Sequence, residues 1–158
     1  METHLAKPET LNDSLNELEK FMINELPPSV EKLRHIFTPG LYAREFTADP
    51  NTLWISKEHL STHIFIVSSG SVTVWIDGEE QYIEAPYIGI TKPGTKRTLL
   101  VHEDGLVWTT FHANPENKNE NEIIADITAI HDNPLLDDDE KNKLSEIRSK
   151  IDKIYLTQ

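Results

Sequence analysis

The stretch VTVWIDGEEQYI, residues 72–83, decides the fold class. Val72, Val74 and Ile76 alternate with Thr73 and Trp75, the period of an extended strand whose two faces meet different surroundings. Asp77-Gly78 then breaks the run before Gln81-Tyr82-Ile83. An Asp-Gly step between alternating segments is a strong hairpin signal, because the tightest turns need left-handed backbone at both central positions. Working outward, similar short segments occur at 42–47, 53–56, 63–68, 87–91, 98–101, 107–113 and 123–130, separated by Gly, Pro or Asp. The last of them also reads as a helix, since a short apolar run is ambiguous between the two. Short strands at near-regular spacing predict an all-β core, either sandwich or barrel.

The flanks differ in character. All six glycines fall between Gly40 and Gly105, and Trp54, Trp75 and Trp108 lie within or beside that window. Upstream, Leu11, Leu15, Leu18, Met22 and Leu26 recur at helical spacing, and Pro27-Pro28 ends the run. A shorter helix is expected from Ser29, with Val30, Leu33 and Ile36 or Phe37 turned inward. Downstream, Leu144, Ile147, Ile151 and Ile154 form a second stripe. Residues 137–140 put four acidic groups at its start, where the helix dipole favours anions. The organisation expected is an N-terminal helical arm over 1–37, a β-barrel over 38–131 and a C-terminal amphipathic helix over 132–158.

Composition excludes several function classes. The 158 residues carry 27 Asp and Glu against 15 Lys and Arg, a net charge of −12. Such a surface repels a nucleic acid duplex, whose binding depends on phosphate neutralisation by cations. Zero cysteines remove disulfides, thiolate metal sites and thiol catalysis, and fit a reducing, cytoplasmic compartment. No apolar run approaches the roughly 20 residues of a membrane span, and residues 1–6 lack the basic start and apolar stretch of a signal peptide.

Three clusters carry chemistry. His59-Leu-Ser-Thr-His63 precedes an apolar strand, and in extended backbone His59 and His63 share a face and can hold a divalent metal through neutral ring nitrogens. Lys92-Pro-Gly-Thr-Lys96-Arg97 is a turn with three cations in an acidic chain, and Arg97 at the head of the next strand presents a planar fork suited to carboxylate or phosphate. In Trp108-Thr-Thr-Phe-His112, alternation puts Trp108, Thr110 and His112 on one face, adding a ring, a hydroxyl and a third imidazole. Lys96 reads as solvated, Arg44 and Glu45 as an internal ion pair, and His102 beside Glu103-Asp-Gly105 as part of a turn.

These residues resemble a cupin, the small jelly-roll barrel whose first motif runs G-x5-H-x-H-x3/4-E-x6-G. His59 falls on its second histidine, His63 on its glutamate and Gly70 on its closing glycine, while Lys57 and Asn51 replace the first histidine and the opening glycine. In the second motif Gly94 matches, Pro93 is displaced by one, and Arg97 and Val101 replace the histidine and the asparagine. The resemblance implies a double-stranded β-helix, a homodimer, and a metal such as Zn, Fe, Mn or Ni held by His59 and His63 with His112 as third ligand. Tyr42-Ala-Arg44-Glu45, the two histidines, Pro93–Arg97 and Trp108–His112 together are similar to small cupin-like proteins of phages and prophages, over roughly 40–115. That likeness implies a protein working in a host cytoplasm and assigns no reaction.

Three functions fit these observations. One is a metal-dependent enzyme acting on a small phosphorylated or carboxylated molecule, with Arg97 and Lys57 neutralising its charge and Trp108 and Thr110 lining the pocket. Another is a non-catalytic pocket sequestering a nucleotide-type anionic signal. The third is an interaction module whose acidic helical arms engage a basic partner.

Overall fold

In a computed structural model of the chain, the structure describes residues 11–27, 29, 32–76, 78–129, 137–140, 142–143, 146–147 and 150. A helix, α1 (Leu11–Glu25), is followed by seven strands: β1 (Lys32–Thr38), β2 (Gly40–Ala48), β3 (Leu53–Ile55), β4 (His63–Ile76), β5 (Glu79–Glu84), β6 (Tyr87–Thr91) and β7 (Arg97–Asn114). A short helix, α2 (Glu120–Ile127), comes next. Every strand pairing is antiparallel, in the order β1-β2-β7-β4-β5, with β3 added to β7 and β6 to β4.

The two long strands explain the architecture. The segments 63–68 and 72–76 are one strand through Gly70, and 98–101 and 107–113 are one strand through Gly105. Both glycines have positive φ, and the β4–β7 register shifts on either side of Gly70. An extra residue at such a bulge bends a strand without ending its ladder. One wall is therefore β1, β2, the end of β7, the start of β4, and β6. The other is β3, the start of β7, the end of β4, and β5. Their inner faces meet in one core, where Phe65, Val67 and Trp108 of the first wall pack with Val72, Val74 and Leu99 of the second. The result is an all-β core.

Three local expectations are corrected. The helix expected from Ser29 is not formed over 32–38, where β1 pairs with β2 from Lys32↔Thr47 to Thr38↔Leu41. Period-two alternation outweighs the coincidental helical spacing of Leu33 and Ile36, and places Arg34 across from Glu45 at 2.9 Å. The run 123–130 takes its helical alternative. Asn119 and Glu122 form a reciprocal capping box, and Ile123 and Ile127 bury against Tyr42. Residues 103–105 continue β7 instead of turning, and His102 bonds to the Ser71 and Thr73 hydroxyls on the outer face.

At the C-terminal end, the acidic start is a capping box between Asp137 and Glu140. Of the stripe beyond it, Ile147 is exposed, while Leu144, Ile151 and Ile154 lie outside the described residues. No helix among the described residues is long and apolar enough to cross a membrane.

A methyl group at Gly70 would stand 1.8 Å from the Gly105 carbonyl oxygen, whereas one at Gly94, also at positive φ, meets nothing within 4 Å. Gly94→Ala should therefore cost about 1 kcal/mol of backbone strain. Gly70→Ala should cost at least about 3 kcal/mol or abolish folding. Equal losses in a denaturant titration of the two variants would show that the glycine contact does not govern the bend.

Candidate functional site

Between the walls and beneath α1 lies a cavity of about 810 Å³. Its lining includes Lys57, His59, Arg97, Trp108 and Thr110, five of the residues singled out by the sequence. Alternation explains why β7 supplies Trp108 and Thr110, while His112, on the same face, and His63 are buried beside the cavity without lining it. A shallower hollow of about 440 Å³ on the outer face contains His102, Ser71 and Tyr82.

Arg97 is the most constrained member. The first residue of β7 exchanges backbone bonds with Ser56, its N–H donating to the Ser56 hydroxyl and its carbonyl accepting from the Ser56 N–H. The guanidinium donates from Nη2 to Thr91 Oγ1 at 2.7 Å. Its Cζ stands 5.3 Å from the Trp108 ring centre and 5.5 Å from that of Phe65, two rings stacked at 4.2 Å. These aromatic faces recover part of the lost hydration. The side chain is 3% exposed, its Nε has no hydrogen-bond partner, and no carboxylate pairs with it among the described residues. Burial lowers its pKa to about 10, which leaves it charged at neutral pH.

The three histidines meet beside it. Ring centres are 4.7 Å apart for His59 and His63, 4.3 Å for His63 and His112, and 6.4 Å for His59 and His112. His59 is carried on a segment pinned to the Gly94-Thr95 turn and to Thr128. His63 Nδ1 lies 3.0 Å from the Ser61 carbonyl. A carbonyl only accepts, so Nδ1 carries the proton and Nε2 keeps a lone pair. His112 Nε2 bonds to Thr110 Oγ1 at 2.9 Å. That leaves His59 Nδ1, His63 Nε2 and His112 Nδ1 buried with no partner.

Protonation is suppressed in all three. Burial, with neighbouring His63 and Arg97, pushes His59 down to about 2. Burial, with His63 and Arg44, pushes His112 down to about 3. Burial also lowers His63, against the opposing Ser61 bond. Neutral imidazoles are the form that ligates metals.

Three imidazoles around one tetrahedral ion place their ring centres roughly 5 Å apart, the scale seen here. Among the described residues, however, no three His, Cys, Asp or Glu side chains stand in ligating arrangement. The donor set therefore fits a metal in type and proximity, and its nitrogens are not converged on one point.

Several cations are placed differently from expectation. Lys57 is exposed at the cavity edge. Arg44 and Glu45 do not form an internal pair. As neighbours on a strand they face opposite ways, Arg44 into the cavity and Glu45 outward to Arg34. Lys96 is not solvated: its side chain is fully buried and donates to Asn16 at 2.6 Å and Glu19 at 3.0 Å of α1. Sequence reasoning missed Arg44, which alternation from Tyr42 would have found. It also missed Phe46 and Trp54 in the cavity wall, and the roof made by α1.

No protein-family model matches the chain, and no curated protein matches it. Solved structures similar to it include cupins. The plu4264 protein of Photorhabdus luminescens is 13% identical, with 55% of this chain and 78% of that one covered at a TM-score of 0.49. A Cupin 2 conserved barrel domain protein from Salinispora arenicola is 13% identical, covering 58% and 90% at 0.47. A double-stranded β-helix protein from Klebsiella pneumoniae is 17% identical, covering 61% and 90% at 0.48. The antiparallel all-β core of this structure is the fold class that the sequence predicted.

The histidine environment makes stability pH-dependent. In the unfolded chain these groups titrate near 6.5, so below that value the unfolded state binds protons that folded His59 and His112 refuse. The contribution of these two groups should be complete above about pH 6.5 and should fall as pH drops toward 3, by up to about 1.4 kcal/mol per unit for each group. In chelator-treated protein, a His59→Asn, His112→Asn variant should lose less stability than the parent between pH 7 and 5. Equal losses would mean that the two imidazoles titrate normally when folded.

The α1 latch is tested separately. Lys96→Met should speed amide exchange across 14–25 while exchange in β4 and β7 stays slow, and unchanged α1 exchange would show that the helix is held by other contacts.

Proposed function

We propose that this chain binds a small organic anion in its barrel cavity, with Arg97 taking the charged group. The observation that carries this reading is a guanidinium 3% exposed, fixed on two stacked rings, with an unused Nε and no carboxylate partner among the described residues. A buried charge without an ionic partner is costly, and an anion entering from the cavity offsets that cost. Lys57 at the edge steers such a ligand inward through an exterior of opposite sign.

Calorimetric titration with benzoate and phenyl phosphate tests the reading. At least one should bind, and Arg97→Gln should weaken it about 10- to 100-fold, the range for a charge-assisted hydrogen bond. Binding of equal strength in the variant would overturn the assignment of Arg97.

A second reading, metal-dependent chemistry on the bound anion, is favoured by the three partnerless imidazole nitrogens of His59, His63 and His112. Zinc, iron, manganese or nickel held there would supply Lewis-acid polarisation and an acidified water. With no carboxylate in the ligand set, the protein neutralises none of the ion's charge, so an anion on Arg97 would. Untagged protein should then carry near-stoichiometric metal that is lost in a His59→Ala, His63→Ala double variant. Anion binding without any metal would leave a non-catalytic pocket.

A further inference from the structure

The cavity is far larger than a simple anion needs, and its polarity is divided. Arg97, His59 and Thr110 form a polar floor. Phe46, Trp54 and Trp108 line the side wall, with Phe46 and Trp54 edge to face at 4.9 Å. Overhead, Met22, Ile23 and Leu26 come down from α1 and the residue after it. The barrel leaves this roof uncovered, since Ile23 is 49% exposed and Leu26 is 44% exposed. Polar contacts fasten α1, those of Lys96 with Asn16 and Glu19, one turn before the apolar residues. The helix thus stands over the cavity without filling it, holding apolar side chains above an apolar wall.

We infer that the ligand is an amphipathic organic anion, a compact charged head with an apolar body that lies between α1 and the Phe46–Trp54 wall. This rests on the anion reading of Arg97 and adds the chemistry of the rest of the molecule. A cavity of about 810 Å³ belongs to the range that takes drug-sized ligands. A nucleotide is the competing occupant, since Asn51, Thr52 and Ser56 also line the cavity and can bond its polar edges, and AMP is the control that separates the two. An apolar body is rewarded for each methylene removed from water, whereas acetate, hexanoate, octanoate and decanoate carry the same head.

The test is a titration of the full chain with those four acids and with AMP, followed by Trp fluorescence. Affinity should rise about two- to fourfold per methylene up to the length the cavity holds, and AMP should bind more weakly than decanoate. Ile23→Glu, on an exposed helix position, should flatten the chain-length dependence while circular dichroism shows the fold retained. Arg97→Gln should weaken all the acids by a similar factor. Equal affinity for acetate and decanoate, or no effect of Ile23→Glu, overturns the apolar body and leaves the anion site standing. A chain-length dependence untouched by Arg97→Gln removes the anion reading and keeps the apolar cavity. No binding by any acid, or AMP binding as tightly as decanoate, overturns the inference itself.

Discussion

At Gly70 the backbone of β4 passes too close to the Gly105 carbonyl of β7 for any side chain, and the glycine lets the two strands stay paired there. At this point one sheet becomes two facing walls. Upstream of Gly70, β4 pairs with β6 and with the end of β7; downstream, it pairs with β5 and the start of β7. Everything functional follows from that bend. Arg97 opens β7 on one wall and Trp108, Thr110 and His112 close it on the other, so a single strand delivers both a buried guanidinium and part of an imidazole cluster. The apolar core sits around the bend, and the polar residues occupy the end of the barrel that the core leaves open.

The charge distribution shows a division of labour. An exterior dominated by Asp and Glu encloses a floor with Arg97 and Arg44 and a latch on Lys96. The buried cations are managed in two ways. Lys96 has its carboxylate within the chain, and its pairing with Glu19 holds α1 in place. Arg97 is instead stabilised by aromatic faces and one hydroxyl, which orient it without neutralising it. Under the anion reading proposed above, a charge kept rigid and unneutralised leaves little ordering to be done on binding.

The β class and the site were legible wherever period two governed. The inward set Trp108, Thr110 and His112 follows directly from alternation, as does the hairpin around Gly78. The same rule, applied to Arg44 and Glu45, excludes the internal pair their adjacency suggested. Helical spacing misled at Leu33 and Ile36, which lie on opposite faces of β1, and pairing with β2 decided the outcome. Lys96 was illegible for a different reason. Its burial depends on a helix some eighty positions away in sequence, and no local pattern encodes that contact. The roof over the cavity was hidden likewise, since the stripe of α1 reads as ordinary packing until the barrel is seen to leave it uncovered.

The imidazole cluster and Arg97 constrain each other electrostatically. Arg97 depresses the protonation of both His59 and His63, and a metal cation seated among the three rings would feel the same repulsion. A neutral ligand set gives that ion nothing to offset its charge, and the nearby guanidinium adds to the penalty. An anion bound to Arg97 changes the balance for both groups at once. It would neutralise the guanidinium and would attract a metal ion held by His59, His63 and His112, so each would improve the site for the other. By linkage the effect is reciprocal, and it is strongest in a dry cavity where charges are poorly screened.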